Sequence, residues 1–175
     1  MSRRRIMIVV VTVLGIAALT GDAFSQQKSL KEQLLGAWHL ISIDYVRADG
    51  SRSTTFGDNP KGIAFFDSGG HYIITVMRSD RAKYAVNDRM QGTADENKAT
   101  AQGTITYFGT YAVSEPDRTI SIDVIGSSFP NWNGTNQKRI FTVSGDELKL
   151  TNPVASTGEE RLRWFGSETS ESRCI

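Results

Sequence analysis

The stretch Thr104-Ile-Thr-Tyr-Phe-Gly-Thr-Tyr-Ala-Val113 alternates between two kinds of position along its whole length. Every second residue on one side is large and apolar, with Gly109 as the small exception. A period of two is typical of a β-strand that buries one face. The stretch therefore predicts such a strand, whose inward face carries Ile105, Tyr107, Tyr111 and Val113. Gly109, between the two tyrosines, is expected to leave room on that face.

The same signals recur along the chain on both sides of this strand. Thr119–Ile125 alternates in the same way, and the turn sequences Asp67-Ser-Gly-Gly70 and Ser144-Gly-Asp146 separate apolar runs as hairpin turns do. About eight strands without interleaved helices predict an all-β domain, either a sandwich or a barrel. The other predicted strands are Trp38–Val46, Gly62–Phe66, Tyr72–Met77, Arg139–Val143, Leu148–Leu150 and Arg161–Phe165.

Two segments depart from the strand pattern. Ser29–Leu35 is amphipathic and stops at Gly36, which predicts a short helix before the first strand. Ser79–Gln102 is long and polar, and Asp95 is a candidate cap for a short helix that Gly103 ends. A long excursion inside a compact β domain is typical of a lid or binding loop, so we expect it to cover one end of the domain.

The N-terminus carries the three parts of a secretory signal. Arg3–Arg5 form a basic head, Ile6–Leu19 is apolar, and Ala23-Phe-Ser25 offers small residues where a signal peptidase cuts. The apolar run rises about 21 Å as a helix, short of the ~30 Å hydrocarbon core of a bilayer. We therefore expect residues 1–25 to be a cleavable signal and residues 26–175 to form one periplasmic or secreted domain. An uncleaved membrane anchor is the alternative, because basic residues favour an N-terminus kept inside.

Composition excludes several classes of protein. The net charge of +1 becomes −1 once three arginines and Asp22 leave with residues 1–25. A surface of mixed sign lacks the clustered positive charge that nucleic acid requires. His39 and His71 are the two histidines and Cys174 is the one cysteine, none at metal-ligand spacing. We therefore expect no metal, no cofactor, no nucleic acid, no stable membrane span after cleavage, and a monomer.

A set of short motifs then carries a resemblance over Leu35 to about Phe165. The chain resembles the lipocalin-like domain family of bacteria and fungi, within the lipocalin superfamily. The resemblance implies a single antiparallel β-barrel with a ligand cavity. The matching motifs are Gly36-Ala-Trp-His-Leu40, Asn59-Pro-Lys-Gly62, Asp67-Ser-Gly-Gly-His71, Tyr107-Phe-Gly-Thr-Tyr111, Phe129-Pro-Asn-Trp-Asn-Gly-Thr135, Gln137-Lys-Arg139 and Gly145-Asp-Glu-Leu148.

The resemblance also implies how the barrel closes. In lipocalins an arginine of the last strand packs over the tryptophan of the first strand, which corresponds here to Trp38 with Arg163 or Arg161. The parity of the last strand leaves the choice between the two arginines open. Related chains often carry histidines where this chain has Ile122 and Asp123, so no role of those histidines is transferred.

Candidate ligand-binding residues combine aromatic rings with a few polar groups. Tyrosine and tryptophan offer an apolar body and a hydrogen-bonding tip, and an inward Arg139 would hold an acidic head. For each candidate a structural role is the alternative: core packing for the rings, a rim ion pair for Arg139 and a solvated hairpin tip for His71. The candidates are Tyr72, Tyr107, Tyr111, Trp132, Arg139 and His71.

Three functions are consistent with these residues. The leading hypothesis is a carrier that binds a small, largely apolar or amphipathic molecule, since no catalytic motif is present. The first alternative is an enzyme of the isomerase or cyclase type that uses the barrel cavity. The second is a filled barrel that binds a protein partner through its long loop.

The signal hypothesis predicts the N-terminus of the exported protein. Sequencing of protein recovered outside the cytosol should begin near Gln26, because the small residues before it fit signal peptidase. Recovery of Met1 on a membrane-bound form would instead establish the anchor.

Overall fold

A computed structural model describes residues 28–46, 49–152 and 161–168 of the chain. Segment 1–25, interpreted above as an export signal, lies outside these described residues. Within these ranges two α-helices and nine strands follow one another: α1 (Leu30–Leu34), β1 (Gly36–Val46), β2 (Arg52–Ser53), β3 (Lys61–Phe66), β4 (His71–Met77), α2 (Ala94–Gln102), β5 (Thr104–Ser114), β6 (Thr119–Ser127), β7 (Asn136–Ser144), β8 (Glu147–Asn152) and β9 (Arg161–Glu168).

The strands form one antiparallel sheet that closes on itself. β1 pairs with β3, each of β3 to β8 pairs with the next strand in the chain, and β9 pairs back onto β1. The short β2 lies beside the end of β1, where Tyr45 and Val46 pair with Ser53 and Arg52. The prediction of a single antiparallel barrel of about eight strands, with a short helix before it and one long loop or helical insertion, is confirmed. The eight barrel strands are β1 and β3 to β9.

The predicted period of two sorts the side chains between core and solvent. Along β5, Tyr107 and Tyr111 are buried while Phe108 between them is exposed. The buried face of this strand meets equivalent faces around the barrel, and together they form one core. Its largest fully buried members are Trp38, Phe66, Phe141, Leu34, Ile43, Ile120, Ile122, Val76 and Val124.

Gly109 has a different role from the one that the sequence indicates. A glycine between two inward tyrosines was expected to leave room on their face. A bulge occurs here, and a Cβ on Gly109 would lie 1.8 Å from the carbonyl oxygen of Asp123. The expectation is wrong, because the β6 backbone occupies the space that a side chain would need.

The insertion helix α2 begins two residues earlier than its sequence suggested. Asp95 was expected to cap it, but the cap is Thr93, whose hydroxyl accepts from the backbone N–H of Glu96. The Glu96 carboxylate in turn accepts from the N–H of Thr93. This reciprocal pair is a capping box, which satisfies two backbone donors where a lone Asp95 would satisfy one.

Helix α1 closes one end of the barrel, called here the floor. Leu34 is fully buried beneath Trp38, whose indole N–H donates to the Leu34 carbonyl at 2.8 Å. The Glu115 carboxylate accepts from the backbone N–H groups of Leu30 and Lys31, which ties the helix to the β5–β6 turn. A gap of only about 10 Å³ remains beside Trp38, so this end is filled.

The register of β9 bears on the predicted arginine closure. The backbone of Trp38 pairs with Glu168, whereas Arg163 pairs with Asp44 and Arg161 with Val46, farther along β1. The side chains of both arginines lie outside the described residues, so their packing over Trp38 stays a prediction. Among the described residues, the polar partner of Trp38 is the Leu34 carbonyl.

Removal of the Trp38 ring should open a cavity at the floor. We expect Trp38→Ala to lower the free energy of unfolding by about 3–5 kcal/mol. Ile41→Ala, on the same strand but 54% exposed, is the matched control and should cost less than about 0.5 kcal/mol. Denaturant unfolding measures both, and equal costs would show that Trp38 does not hold the floor.

Candidate functional site

The end of the barrel opposite α1 is open and is called here the mouth. A cleft of about 850 Å³ lies between the strand ends and helix α2. Four apolar side chains line it on the barrel side, and alanines line it on the α2 side. The barrel-side residues are Tyr45, Phe56, Ile105 and Phe129, and the alanines are Ala82, Ala99 and Ala101.

The segment Ser79–Gln102, which the sequence analysis expects to cover one end of the domain, lies over the mouth. Arg81 anchors it, because its guanidinium donates to the Thr104 hydroxyl at 2.9 Å, to the Arg78 carbonyl at 3.1 Å and to the sulfur of Met77 at 3.1 Å. The Glu96 carboxylate also accepts from the backbone N–H of Ala85 at 2.7 Å. These hydrogen bonds, led by that from the Thr93 N–H, lower the pKa of Glu96. The segment is thus an ordered cover with its own internal contacts.

Aromatic rings continue from the mouth into the barrel. Phe129 at the cleft wall lies 5.9 Å from Trp132, and Trp132 lies 5.1 Å from Tyr107, both edge to face. Tyr107 in turn lies 6.0 Å from Tyr72. Edge-to-face packing at these distances stabilises a rigid aromatic wall. Trp132 therefore separates the cleft from the interior.

Arg139 lies in that interior behind Trp132. It is only 5% exposed, on β7 opposite Ile120. Its guanidinium donates to the side-chain oxygen of Gln137 and to the carbonyl of Lys138 at 3.2 Å. None of the ion pairs among the described residues includes it. The rim ion pair that was the alternative for Arg139 does not occur in the described part of the chain.

Two buried tyrosine hydroxyls face the same region. The Tyr72 hydroxyl is buried and has no hydrogen-bond partner. Burial raises the pKa of Tyr72, the Tyr107 hydroxyl raises it further, and the Arg139 charge opposes the rise. Burial likewise raises the pKa of Tyr107 against the charge and hydrogen bonding of Arg139. Both groups are therefore protonated at neutral pH and are potential donors.

The remaining two candidates lie at the floor. The Tyr111 hydroxyl donates to the Asp67 carbonyl at 2.6 Å, and the Lys31 ammonium lies 5.9 Å from the Tyr111 ring. His71 is exposed and pairs with the Asp67 carboxylate at 2.9 Å. The backbone N–H of His71 is the main group that lowers the pKa of Asp67. The structure thus brings Tyr72, Tyr107, Trp132 and Arg139 together and places Tyr111 and His71 elsewhere.

Sequence reasoning missed three contributors to this region. Gln137 stands two residues before Arg139, so strand alternation alone would have placed both on one face. Arg81 lies within the polar segment Ser79–Gln102, where its sequence position gives no sign of the three acceptors that it binds. Phe56 lies in an irregular stretch after β2, where no period exists, and it packs 6.4 Å from Tyr45. No sequence signal would have found Phe56.

Two kinds of feature are absent from the residues that the structure describes: a group of metal ligands and a helix that could span a membrane. No group of three or more histidine, cysteine or acidic side chains there could hold a metal ion. No helix in the same ranges is both long and apolar enough to cross a membrane.

A closed eight-stranded antiparallel barrel, filled at a helix-covered floor and open at an aromatic mouth, is a lipocalin-like protein. A family model described as a lipocalin-like domain matches residues 35–170, and the chain belongs to that family. The chain is 29% identical over 100 residues to a protein of Aspergillus oryzae named 4'-hydroxy-3'-methoxypropiophenone carrier protein ppsC. That match covers 51% of this chain and 90% of the fungal protein. A solved redesigned β-barrel is also similar, with 16% identity and a TM-score of 0.42, over 82% of this chain and 100% of its own.

The buried tyrosines predict alkaline destabilisation. Tyr72, Tyr107 and Tyr111 have pKa values raised above 10.0 in the folded state. Above pH of about 10 the unfolded chain loses these protons and the folded chain keeps them, so the free energy of unfolding falls as pH rises. Denaturant unfolding between neutral and strongly alkaline pH measures this fall. Tyr72→Phe and Tyr107→Phe should each make it shallower, and a flat profile in the wild type would contradict the burial of these hydroxyls.

Proposed function

We propose that this protein is an exported carrier of a small, largely apolar or amphipathic molecule. The cleft at the mouth carries this proposal, since its volume of about 850 Å³ accommodates a small organic ligand. Its walls combine the aromatic rings of Tyr45, Phe56 and Phe129 with small alanines opposite. Flat rings facing a shallow apolar surface favour a flat, aromatic body.

The name of the fungal relative supports the same class of ligand. It describes a carrier of a substituted aryl ketone, a small aromatic molecule with a polar end. We propose that the ligand of this chain has that general form, an aromatic body with one polar end, and we assign no exact structure to it.

The cleft chemistry favours a carrier over an enzyme. Asp80 is the acidic residue in its wall among the described residues, and the Arg78 guanidinium binds its carboxylate at 2.7 Å. That pairing lowers the pKa of Asp80, which makes it a poor proton donor near neutral pH. The Arg78–Asp80 ion pair instead holds two side chains of the cleft wall in place.

The place of action follows from the N-terminal pattern. We propose that residues 1–25 direct the chain out of the cytosol and that the barrel works as a monomer in the periplasm or outside the cell. Such a compartment suits a carrier, whose ligand otherwise has to cross water with its apolar surface exposed.

Filling the cleft should weaken binding. Ala101→Trp places a large ring in the cleft, and Lys98→Trp adds the same ring to α2 at an exposed position outside the cleft wall. Calorimetric titration with the aryl ketone of the fungal relative should show affinity at least about tenfold weaker for Ala101→Trp, since ordinary apolar contacts of one ring are worth that much. Lys98→Trp should bind as the wild type does.

A second measurement finds the natural ligand. Native mass spectrometry of protein purified from its own host should show a retained small molecule, lost from Ala101→Trp and kept by Lys98→Trp. Equal binding by all three proteins would remove the cleft from the proposal, and no binding by the wild type across aromatic and fatty-acid panels would overturn the carrier itself.

A further inference from the structure

The guanidinium of Arg139 is buried without a counter-ion among the described residues. Taking a charge out of water costs several kcal/mol unless an opposite charge or a full set of hydrogen bonds replaces the water. Arg139 has the side-chain oxygen of Gln137, one backbone carbonyl and the hydroxyl of Tyr107. A guanidinium has more N–H donors than these neutral acceptors satisfy. The guanidinium therefore lacks acceptors for some of its N–H groups. The nearby Asp123 carboxylate, whose charge also acts on Tyr72, accepts from the Asn136 amide.

A second, independent observation lies beside it. The Tyr72 hydroxyl is buried, the residue is 3% exposed, and this oxygen has no partner. Its ring packs 6.0 Å from that of Tyr107, and the Arg139 charge acts on it directly. An unpaired buried hydroxyl costs about 1–3 kcal/mol, so this group too is arranged for a partner that is not part of the barrel.

Neighbouring groups hold Arg139 in place. The Gln137 amide donates to the Thr135 hydroxyl at 3.0 Å, and this hydroxyl donates to the Trp132 carbonyl at 2.7 Å. The amide is thereby fixed with its oxygen toward Arg139. Because the chain of bonds begins at Trp132, the guanidinium is oriented from the same turn that separates it from the cleft.

We propose that Arg139, Tyr72 and Tyr107 form an internal receptor for one negatively charged oxygen group, either a carboxylate or an ionised acidic phenol. The inference rests on the proposed carrier function and names the chemistry of the ligand's polar end. With the apolar body of the ligand in the mouth cleft, its charged end has to pass Trp132 to reach the guanidinium, since Arg139 does not line the cleft. A planar fork with paired donors and two hydroxyl donors suits an anionic oxygen better than a neutral one.

Arg81 is a structural arginine with which Arg139 can be compared. It also lacks an ion pair among the described residues, but it lies partly exposed at the mouth and binds three neutral acceptors while it keeps contact with water. Its charge is solvated and needs no ligand. Arg139 is nearly out of contact with water, and this difference separates a structural anchor from a binding group.

The test compares two probes of the same shape. Near neutral pH, 4-isopropylbenzoate is an anion and 4-isopropylbenzamide is neutral. Titration calorimetry should show the acid binding the wild type at least about tenfold more tightly, as one charge-assisted hydrogen bond would give. Arg139→Met should remove this preference and leave the affinity for the amide unchanged. Lys138→Met, which removes the same charge from the exposed side of β7, should keep the preference.

A stability measurement separates a binding role from a structural one. A buried guanidinium that awaits an anionic ligand destabilises the ligand-free barrel. Arg139→Met should therefore raise the thermal midpoint of the ligand-free protein while it weakens acid binding. Tyr72→Phe keeps the ring and removes the unpaired hydroxyl, and it should give the same two effects in smaller measure. This second variant preserves the test if Arg139→Met does not fold.

The source of the negative oxygen is decided by absorption spectroscopy. The aryl ketone of the fungal relative is a phenol, whose ultraviolet band moves to longer wavelength on ionisation. Binding to the wild type below the pKa of the free phenol should produce the phenolate band if an ionised phenol is bound, and Arg139→Met should not produce it. Tight binding of the benzoate without any phenolate band would assign a carboxylate.

The outcomes distinguish this inference from the carrier function. Equal binding of acid and amide by the wild type, with no phenolate band, overturns the receptor and leaves the carrier intact. A lower thermal midpoint for ligand-free Arg139→Met and Tyr72→Phe, with the acid preference unchanged, makes the cluster structural. Failure of both probes and the ketone to bind the wild type overturns both proposals.

Discussion

The pairing of β9 with β1 is the constraint on which the rest of the structure depends. It turns an open sheet into a closed one and gives the backbone of both edge strands hydrogen-bonding partners. Closure creates an inside, and strand alternation then sends every second side chain into it. A residue such as Arg139 has no way to reach solvent from there without a change of register. Its burial is a consequence of closure and not of any preference of arginine.

One end of the closed barrel is filled and the other is open, and each state has a local cause. At the floor, α1 is short, capped by Ser29 and Glu32, and carries Leu34 directly onto Trp38. At the mouth the connection between β4 and β5 is too long for a hairpin and folds into an ordered cover around α2. The filled floor supplies stability, and the open mouth leaves apolar surface for a ligand.

The interior behind Trp132 shows a balance between stability and binding. An apolar residue at position 72 would remove the unpaired hydroxyl, and one at position 139 would remove the buried charge, so each change would relieve a cost of burial. The chain instead keeps a hydroxyl without a partner and a guanidinium without a counter-ion among the described residues, side by side. These groups lie together beyond the aromatic wall that starts at the cleft.

Local pattern in the sequence by itself determined the strands and the short first helix, because a period of two and hairpin turns depend only on neighbouring residues. It left a sandwich or a barrel open, and the resemblance to the lipocalin-like family implied the barrel. The local pattern also placed Tyr107 and Tyr111 on one face and named Arg139 as an inward candidate. Tertiary structure alone decided that Gly109 serves a bulge, that Tyr111 and His71 belong to the floor, and that Phe56 lines the mouth. The position of a side chain between floor and mouth depends on strand stagger and on the path of irregular segments. Neither of these produces a periodic pattern in the sequence. Burial of Arg139 without a counter-ion is likewise a property of the closed barrel, since charge pairing depends on which distant side chains meet.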